Sequence, residues 1–158
     1  MPRPSAEAGT DKVLARNPKA RHDYHIIETW EAGLVLTGSE IKSVRQGKVS
    51  LREAFGTVRQ GEVWLEGMNV TPYESRGYAP HDATRRRKLL LHGKEISRMI
   101  GAVEQQGLTL VPLDLHMSNG RAKVTLALGR GKKMHDKRED LKRRDAEREL
   151  ARAMGRRR

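Results

Sequence analysis

Apolar and polar residues alternate along much of this chain at the two-residue spacing of strands, broken by shorter stretches at helical spacing. Tyr24, Ile26 and Trp30 fall on one side of an extended segment. Glu31-Ala32-Gly33 is expected to turn the chain into a second run, Leu34-Val35-Leu36. Thr37 and Glu40 have the spacing of a capping box. Ile41 and Val44 follow three apart and Gly47 can stop the chain, which predicts a short helix. Phe55 to Val58 and Val63 to Leu65 flank Arg59-Gln60-Gly61-Glu62, which predicts a hairpin. Residues 76–87 are polar, contain Gly77 and Pro80, and are expected to form a mobile loop. Leu89-Leu90-Leu91 predicts a short buried strand. Ile96, Met99, Ile100 and Val103 form the apolar face of a helix stopped at Gly107. Val111, Leu113, Leu115 and Met117 alternate, as do Ala122, Val124, Leu126 and Leu128. Between them Asn119-Gly120 suits the positive φ angles of a type I′ turn.

These elements amount to six or seven short strands with two helices between them. Closing a small antiparallel sheet on itself buries the alternating faces and removes open edges. The predicted fold is therefore mainly β with accessory helices, an oligonucleotide-binding-like antiparallel β-barrel. Three parts are expected. Residues 1–20, with Pro2, Pro4, Gly9 and Pro18, read as a disordered segment. Residues 21–129 form the barrel domain. Residues 130–158 form a basic C-terminal tail whose stripe of Ala146, Leu150, Ala153 and Met154 is narrow. Acid-then-base pairs four apart, Glu139 with Arg143 and Asp140 with Arg144, favour a helix there by only about 0.2–0.5 kcal/mol each. The tail is accordingly expected to be disordered alone and helical on a surface that supplies phosphates.

Charge narrows the function. The chain has 32 Lys and Arg against 20 Asp and Glu, a net charge of +12. The tail alone has 13 Lys or Arg against 6 Asp or Glu, more than half of that excess on less than a fifth of the length. Such a balance points to a polyanion, with nucleic acid ahead of an anionic membrane. Cysteine is absent, which removes disulfides, thiolate metal sites and cysteine nucleophiles. No apolar run is long enough to span a bilayer and no signal-peptide core follows Met1, so a soluble, cytoplasmic and monomeric protein is expected. The six histidines show no metal-ligand spacing, and neither a nucleophile elbow nor a phosphate loop occurs. No metal, cofactor or catalytic residue is assigned.

Basic clusters carry the candidate chemistry. Lys19 and Arg21, with Arg16, precede the first strand; Lys42, Arg45 and Lys48 are spaced by three; Arg85-Arg86-Arg87-Lys88 leads into the Leu89 strand. Such side chains neutralise phosphates and position RNA without reading its sequence. Glu31 is the exception, because a carboxylate repels phosphate but accepts hydrogen bonds from base edges. Tyr24, Trp30 and Trp64 serve the core or stack on bases. A ribosomal protein or ribosome assembly factor would share this basic body and tail.

Several segments resemble one family. They are Asn17-Pro18-Lys19-Ala20-Arg21-His22-Asp23-Tyr24, the run from Glu31-Ala32-Gly33 to Glu40-Ile41-Lys42-Ser43, Arg87-Lys88-Leu89-Leu90-Leu91-His92, residues 107–113, and Gly131-Lys132-Lys133 with His135-Asp136-Lys137-Arg138. In order and spacing they resemble the SsrA-binding protein (small protein B) family, the bacterial partners of transfer-messenger RNA. The resemblance implies binding to the tRNA-like domain of that RNA and its delivery to stalled ribosomes for trans-translation. It implies that Glu31, Leu90 and His92 face the tRNA-like domain, His92 standing where the family more often has Asn. It implies that His22 faces ribosomal RNA. Gly131, Lys132, Lys133, His135, Asp136, Lys137, Arg138 and the striped Met154 would serve the tail in the empty messenger channel near the decoding centre. Pro18 replaces the family's usual basic residue.

Overall fold

The computed structural model describes residues 12–72, 82–132 and 134–156. Among them, strands β1 (Lys12–Arg16), β2 (Tyr24–Leu34), β3 (Val49–Ser50), β4 (Phe55–Arg59), β5 (Glu62–Glu66), β6 (Asn69–Val70), β7 (Arg87–Leu90), β8 (Thr109–Ser118) and β9 (Arg121–Gly131) alternate with four helices. The helices are α1 (Pro18–Asp23), α2 (Gly38–Arg45), α3 (Gly93–Gln106) and α4 (Met134–Arg156). Six strands close a ring in the order β8-β4-β5-β7-β2-β9, completed by β8–β9 pairing, and β1 adds to the free part of the β8 edge. All recorded pairings are antiparallel. The expected class, mainly β with accessory helices, holds as a closed ring-like sheet.

Local chemistry explains the elements. Thr37 and Glu40 do form a capping box at the start of α2. Gln60 (φ 52°) and Gly61 (φ 75°) make the β4–β5 turn, and Asn119 (φ 53°) and Gly120 (φ 73°) the β8–β9 turn, as their sequences predict. α3 ends at Gly107 in the left-handed region.

Bulges account for the main departures from the sequence pattern. β2 is one strand of 11 residues that runs straight through Glu31-Ala32-Gly33, where a turn was expected. Gly33 serves close packing instead: a Cβ there would lie 3.3 Å from Leu90 Cβ. A register shift between Ile26 and Glu28 also breaks the shared face of Tyr24, Ile26 and Trp30. A second shift between Pro112 and Asp114 moves Val111 and Leu113 off the face of Leu110 and Leu115. Two cores result. Leu65, Leu89, Met99, Leu110, Leu115, Val124, Leu126 and Leu128 belong to the ring interior, with Trp30 packed against it. Val111, Leu113, Ala127 and Ala20 form a smaller cluster with Tyr24 and Ile26, which is how α1 packs on the outside.

Three further expectations are corrected. Residues 12–20, expected to be disordered, form β1 and the first half of α1, because β1 pairs with β8 and the Asn17 backbone N–H donates to Leu113 O at 2.8 Å. In the Leu89-Leu90-Leu91 run only Leu89 is buried, while Leu90 is 54% exposed at the end of β7. The tail forms helix α4. Of the expected 76–87 loop, residues 76–81 lie outside the described residues, and Arg87 is a fully buried strand residue.

Candidate nucleic-acid interface

Antiparallel β2–β7 pairing sets Gly33 opposite Leu90 and Leu34 opposite Leu89. The pairing ends there, and His92 follows two residues later as the N-cap of α3. Leu90 thus lies beside the part of β2 that follows Glu31, and Lys123, which holds Glu31, also lines the groove beside Leu90. Leu90 lines a groove of about 510 Å³ together with Gly33, Ile41, Met117, Arg121 and Lys123. His92 is exposed at the N-terminus of α3, its amide donating to Glu95 Oε1 at 3.0 Å.

Glu31 is held on the outer face of the sheet. Lys123 Nζ donates to its Oε1 at 2.8 Å, and His116 Nε2 lies 3.3 Å from its Oε2. His116 Nδ1 in turn lies 2.7 Å from Asp114 Oδ1, to which Thr125 Oγ1 donates at 2.9 Å. The Lys123 hydrogen bond, opposed by partial burial and helped by His116, holds the Glu31 carboxyl below its ordinary range. Sequence reasoning missed Asp114, His116, Lys123 and Thr125. The Asn119-Gly120 turn could have found them, since it fixes His116 opposite Lys123 and Asp114 opposite Thr125.

The basic candidates divide. Lys42 and Arg45 on α2 and Lys48 just beyond it are exposed, as are Lys19 and Arg21 on α1. Lys88 is half-buried and donates to Glu62 Oε1 at 3.1 Å. Arg87 is corrected as an RNA contact: it is 0% exposed and therefore out of reach. Its Nε donates to Glu40 Oε2 at 2.5 Å, and its Nη1 donates to Met68 O and Arg85 O. Burial pushes the Glu40 carboxyl up, but Arg85, the Thr37 amide and Arg87 outweigh it and bring it down to about 2. Arg86 lies over Trp64, 5.7 Å from the ring centre, in a cation–π contact.

A second group gathers where the tail leaves the ring. Asp23 Oδ1 accepts from His22 Nδ1 at 2.9 Å and from Lys137 Nζ at 3.1 Å. The Lys132 amide donates to Asp23 O at 2.8 Å, and its Nζ reaches Arg21 O and the Asp140 carboxylate. His22, Lys132 and Lys137 are thus engaged with one another's elements. Gly131 and Arg138 are exposed, and Met154 is 65% exposed on α4. Lys133 lies outside the described residues, and the side chains of His135 and Asp136 are likewise not described. Among the described residues no group of three or more His, Asp or Glu could hold a metal ion, and no helix is long and apolar enough to cross a membrane.

The chain is thus a closed antiparallel sheet with exposed cations around it and a basic helix attached. The chain belongs to the SmpB protein family, whose model matches residues 14–156. It is 56% identical over 145 residues to the SsrA-binding protein of Bacillus pumilus, covering 92% of this chain and 93% of that one. It is 56% identical over 144 residues to the SsrA-binding protein of Thermosynechococcus vestitus, covering 90% and 95%. A chain from a solved structure described as "tmRNA-SmpB: a journey to the center of the bacterial ribosome" is 52% identical, with a TM-score of 0.62 over 75% of this chain and 84% of that one.

Proposed function

We propose that this protein binds the tRNA-like domain of transfer-messenger RNA and carries it to stalled ribosomes for trans-translation. The observation that carries this reading is the 52% identity, at a TM-score of 0.62, to a chain from the structure whose description names tmRNA-SmpB and the center of the bacterial ribosome. The ring is the RNA-gripping part. Glu31, Leu90 and His92 form its recognition edge, while Lys19, Arg21, Lys42, Arg45, Lys48 and Lys88 neutralise phosphates. His22 faces ribosomal RNA. The tail, from Gly131 through Lys137 and Arg138 to Met154, occupies the messenger channel when messenger is absent, so that channel vacancy selects stalled ribosomes. The protein acts in the cytoplasm as a monomeric adaptor and performs no covalent step.

The test is titration of the full chain into labelled tRNA-like domain, with Glu31→Arg as the variant. The wild-type chain is expected to bind this RNA at least about tenfold more tightly than an unrelated hairpin of equal length. Glu31→Arg is expected to bind about tenfold more weakly with an unchanged circular dichroism spectrum, through loss of a charge-assisted contact. Equal affinity for both RNAs would refute the reading and favour a general ribosome-assembly role.

A further inference from the structure

Glu31, Thr125, Asp114 and Arg16 stand opposite one another in turn on β2, β9, β8 and β1. Directly opposed residues of antiparallel strands share a face, so the four make one row across the outside of the sheet. The hydrogen bond from Thr125 Oγ1 to Asp114 Oδ1 lies along that row. Neighbouring strands are about 4.8 Å apart, which puts Arg16 about 14 Å from Glu31. β1 is the last strand, so the row ends at the rim of a groove of about 520 Å³ between the β1–α1 corner and residues 49–52.

Local bonds hold both walls. Asn17 is buried, and its Nδ2 donates to Pro112 O at 2.9 Å, which fixes the corner between Arg16 and Lys19. Across the groove Leu51 and Ala54 are buried, and the Ala54 N–H donates to Leu51 O at 3.0 Å, so the turn between them sends Arg52 and Glu53 outward. Arg16, Lys19 and Arg52 are exposed, and among the described residues none of the three is in an ion pair. No carboxylate lines the groove. Lys48 and Glu53 adjoin it in sequence and Asp114 stands opposite Arg16, which makes four cations to two carboxylates. Asp114 already accepts from Thr125 and contacts His116. Further along β1 and α1 are the cations Lys12 and Arg21 and the carboxylate of Asp23, which His22 and Lys137 hold. The groove is therefore cationic however widely its surroundings are drawn.

We propose that this groove holds backbone phosphates of the same RNA that meets the sheet at Glu31, with Arg16, Lys19 and Arg52 as its cationic clamp. This rests on the reading of Glu31 as a contact to the tRNA-like domain. About 14 Å along one face is the length of about four stacked nucleotides at about 3.4 Å each, so one folded RNA reaches both places. Guanidinium groups suit the task because their planar fork meets two phosphate oxygens at once. Arg52 belongs to no basic run in the sequence, and only the fold brings it to Arg16 and Lys19.

The experiment titrates full-length chains into labelled tRNA-like domain by fluorescence anisotropy over a series of salt concentrations. Arg16→Gln with Arg52→Gln is expected to weaken binding about tenfold at physiological salt and to lower the log–log salt slope by about two, one for each lost phosphate contact. Arg16→Lys with Arg52→Lys is expected to keep the wild-type slope, as a charge-bearing role requires. Arg148→Gln with Arg152→Gln takes the same charge from the exposed tail and is expected to weaken binding less than about twofold. Should the first pair fail to fold, Lys19→Gln is expected to lower the slope by about one. Equal losses in the two Gln pairs would overturn the proposal, because net charge alone would then explain them. So would an unchanged slope in the Arg16 and Arg52 pair, or a loss seen with a uridine decanucleotide and not with the tRNA-like domain. Glu31→Arg separates the two levels. If it weakens binding while the Arg16 and Arg52 pair does not, only the groove fails; if the pair weakens binding while Glu31→Arg does not, the groove stands and the Glu31 contact fails.

Discussion

Glu40 and Arg87 are both 0% exposed, which is where charges are costliest. The pair persists because both carboxylate oxygens are bonded: Arg85 and the Thr37 amide donate to Oε1 and Arg87 donates to Oε2. Removing one member strands the other. Arg87→Met is expected to cost about 3–5 kcal/mol in urea unfolding. The double variant Arg87→Met, Glu40→Met should cost less than the sum of the singles, the signature of a coupled pair. The acid limb follows from the same carboxylate. Its folded-state value of about 2 lies below the ordinary 4.5, so its contribution is complete above about pH 4.5 and is lost as pH falls toward 2. Glu40→Gln should flatten stability over that window, which unfolding curves at pH 2 to 6 would reveal. Half of this was legible beforehand: Glu40 stood out as a capping residue three positions after Thr37. Arg87 sits 47 residues further on in a run of four cations, and nothing local distinguishes a buried arginine from its exposed neighbours.

Elements with a local cause were readable, and those decided by distant packing were not. The Asn119-Gly120 and Gln60-Gly61 turns, the Thr37–Glu40 box and the Gly107 stop all depend on backbone conformations that a few residues fix. The bulges at Ile26/Glu28 and Pro112/Asp114 do not: they serve α1, which needs an apolar patch of Val111, Leu113 and Ala127 outside the ring. Alternation alone assigns those residues to the wrong face. α4 is the other case. Its own charge pairs and thin stripe make a marginal helix, and its Lys137 and Asp140 are fastened to the body through Asp23 and Lys132. Asp23→Ala removes the acceptor shared by His22 and Lys137. Partly exposed ion pairs contribute up to about 1 kcal/mol, so amide exchange across 134–156 should quicken about two- to fivefold while β8 and β9 stay protected. Unchanged exchange in α4 would mean that the clasp does not hold the helix.

At the scale of the molecule, charge and connectivity divide the labour. Charge was fully legible, since more than half of the net +12 stands after residue 129. Gly33 and Leu90 were legible only as separate residues, because β2–β7 pairing joins positions 33 and 90, and no local pattern announces such a register. Exposed cations are shared by body and tail, whereas Glu31 belongs to the body alone. Reversing exposed tail cations therefore separates the two roles. Arg138→Glu, Arg144→Glu and Arg148→Glu together lower the formal charge by six without touching the ring or the Asp23 clasp. If the ring grips the tRNA-like domain, affinity at physiological salt should fall by less than about threefold, and the log–log salt slope should change by less than about one counterion. Peptide tagging on ribosomes stalled without messenger in the channel should fall at least about tenfold, because three phosphate-facing charges there would repel. A collapse of RNA affinity equal to the loss of tagging would place the grip in the tail and leave the closed sheet as little more than its anchor.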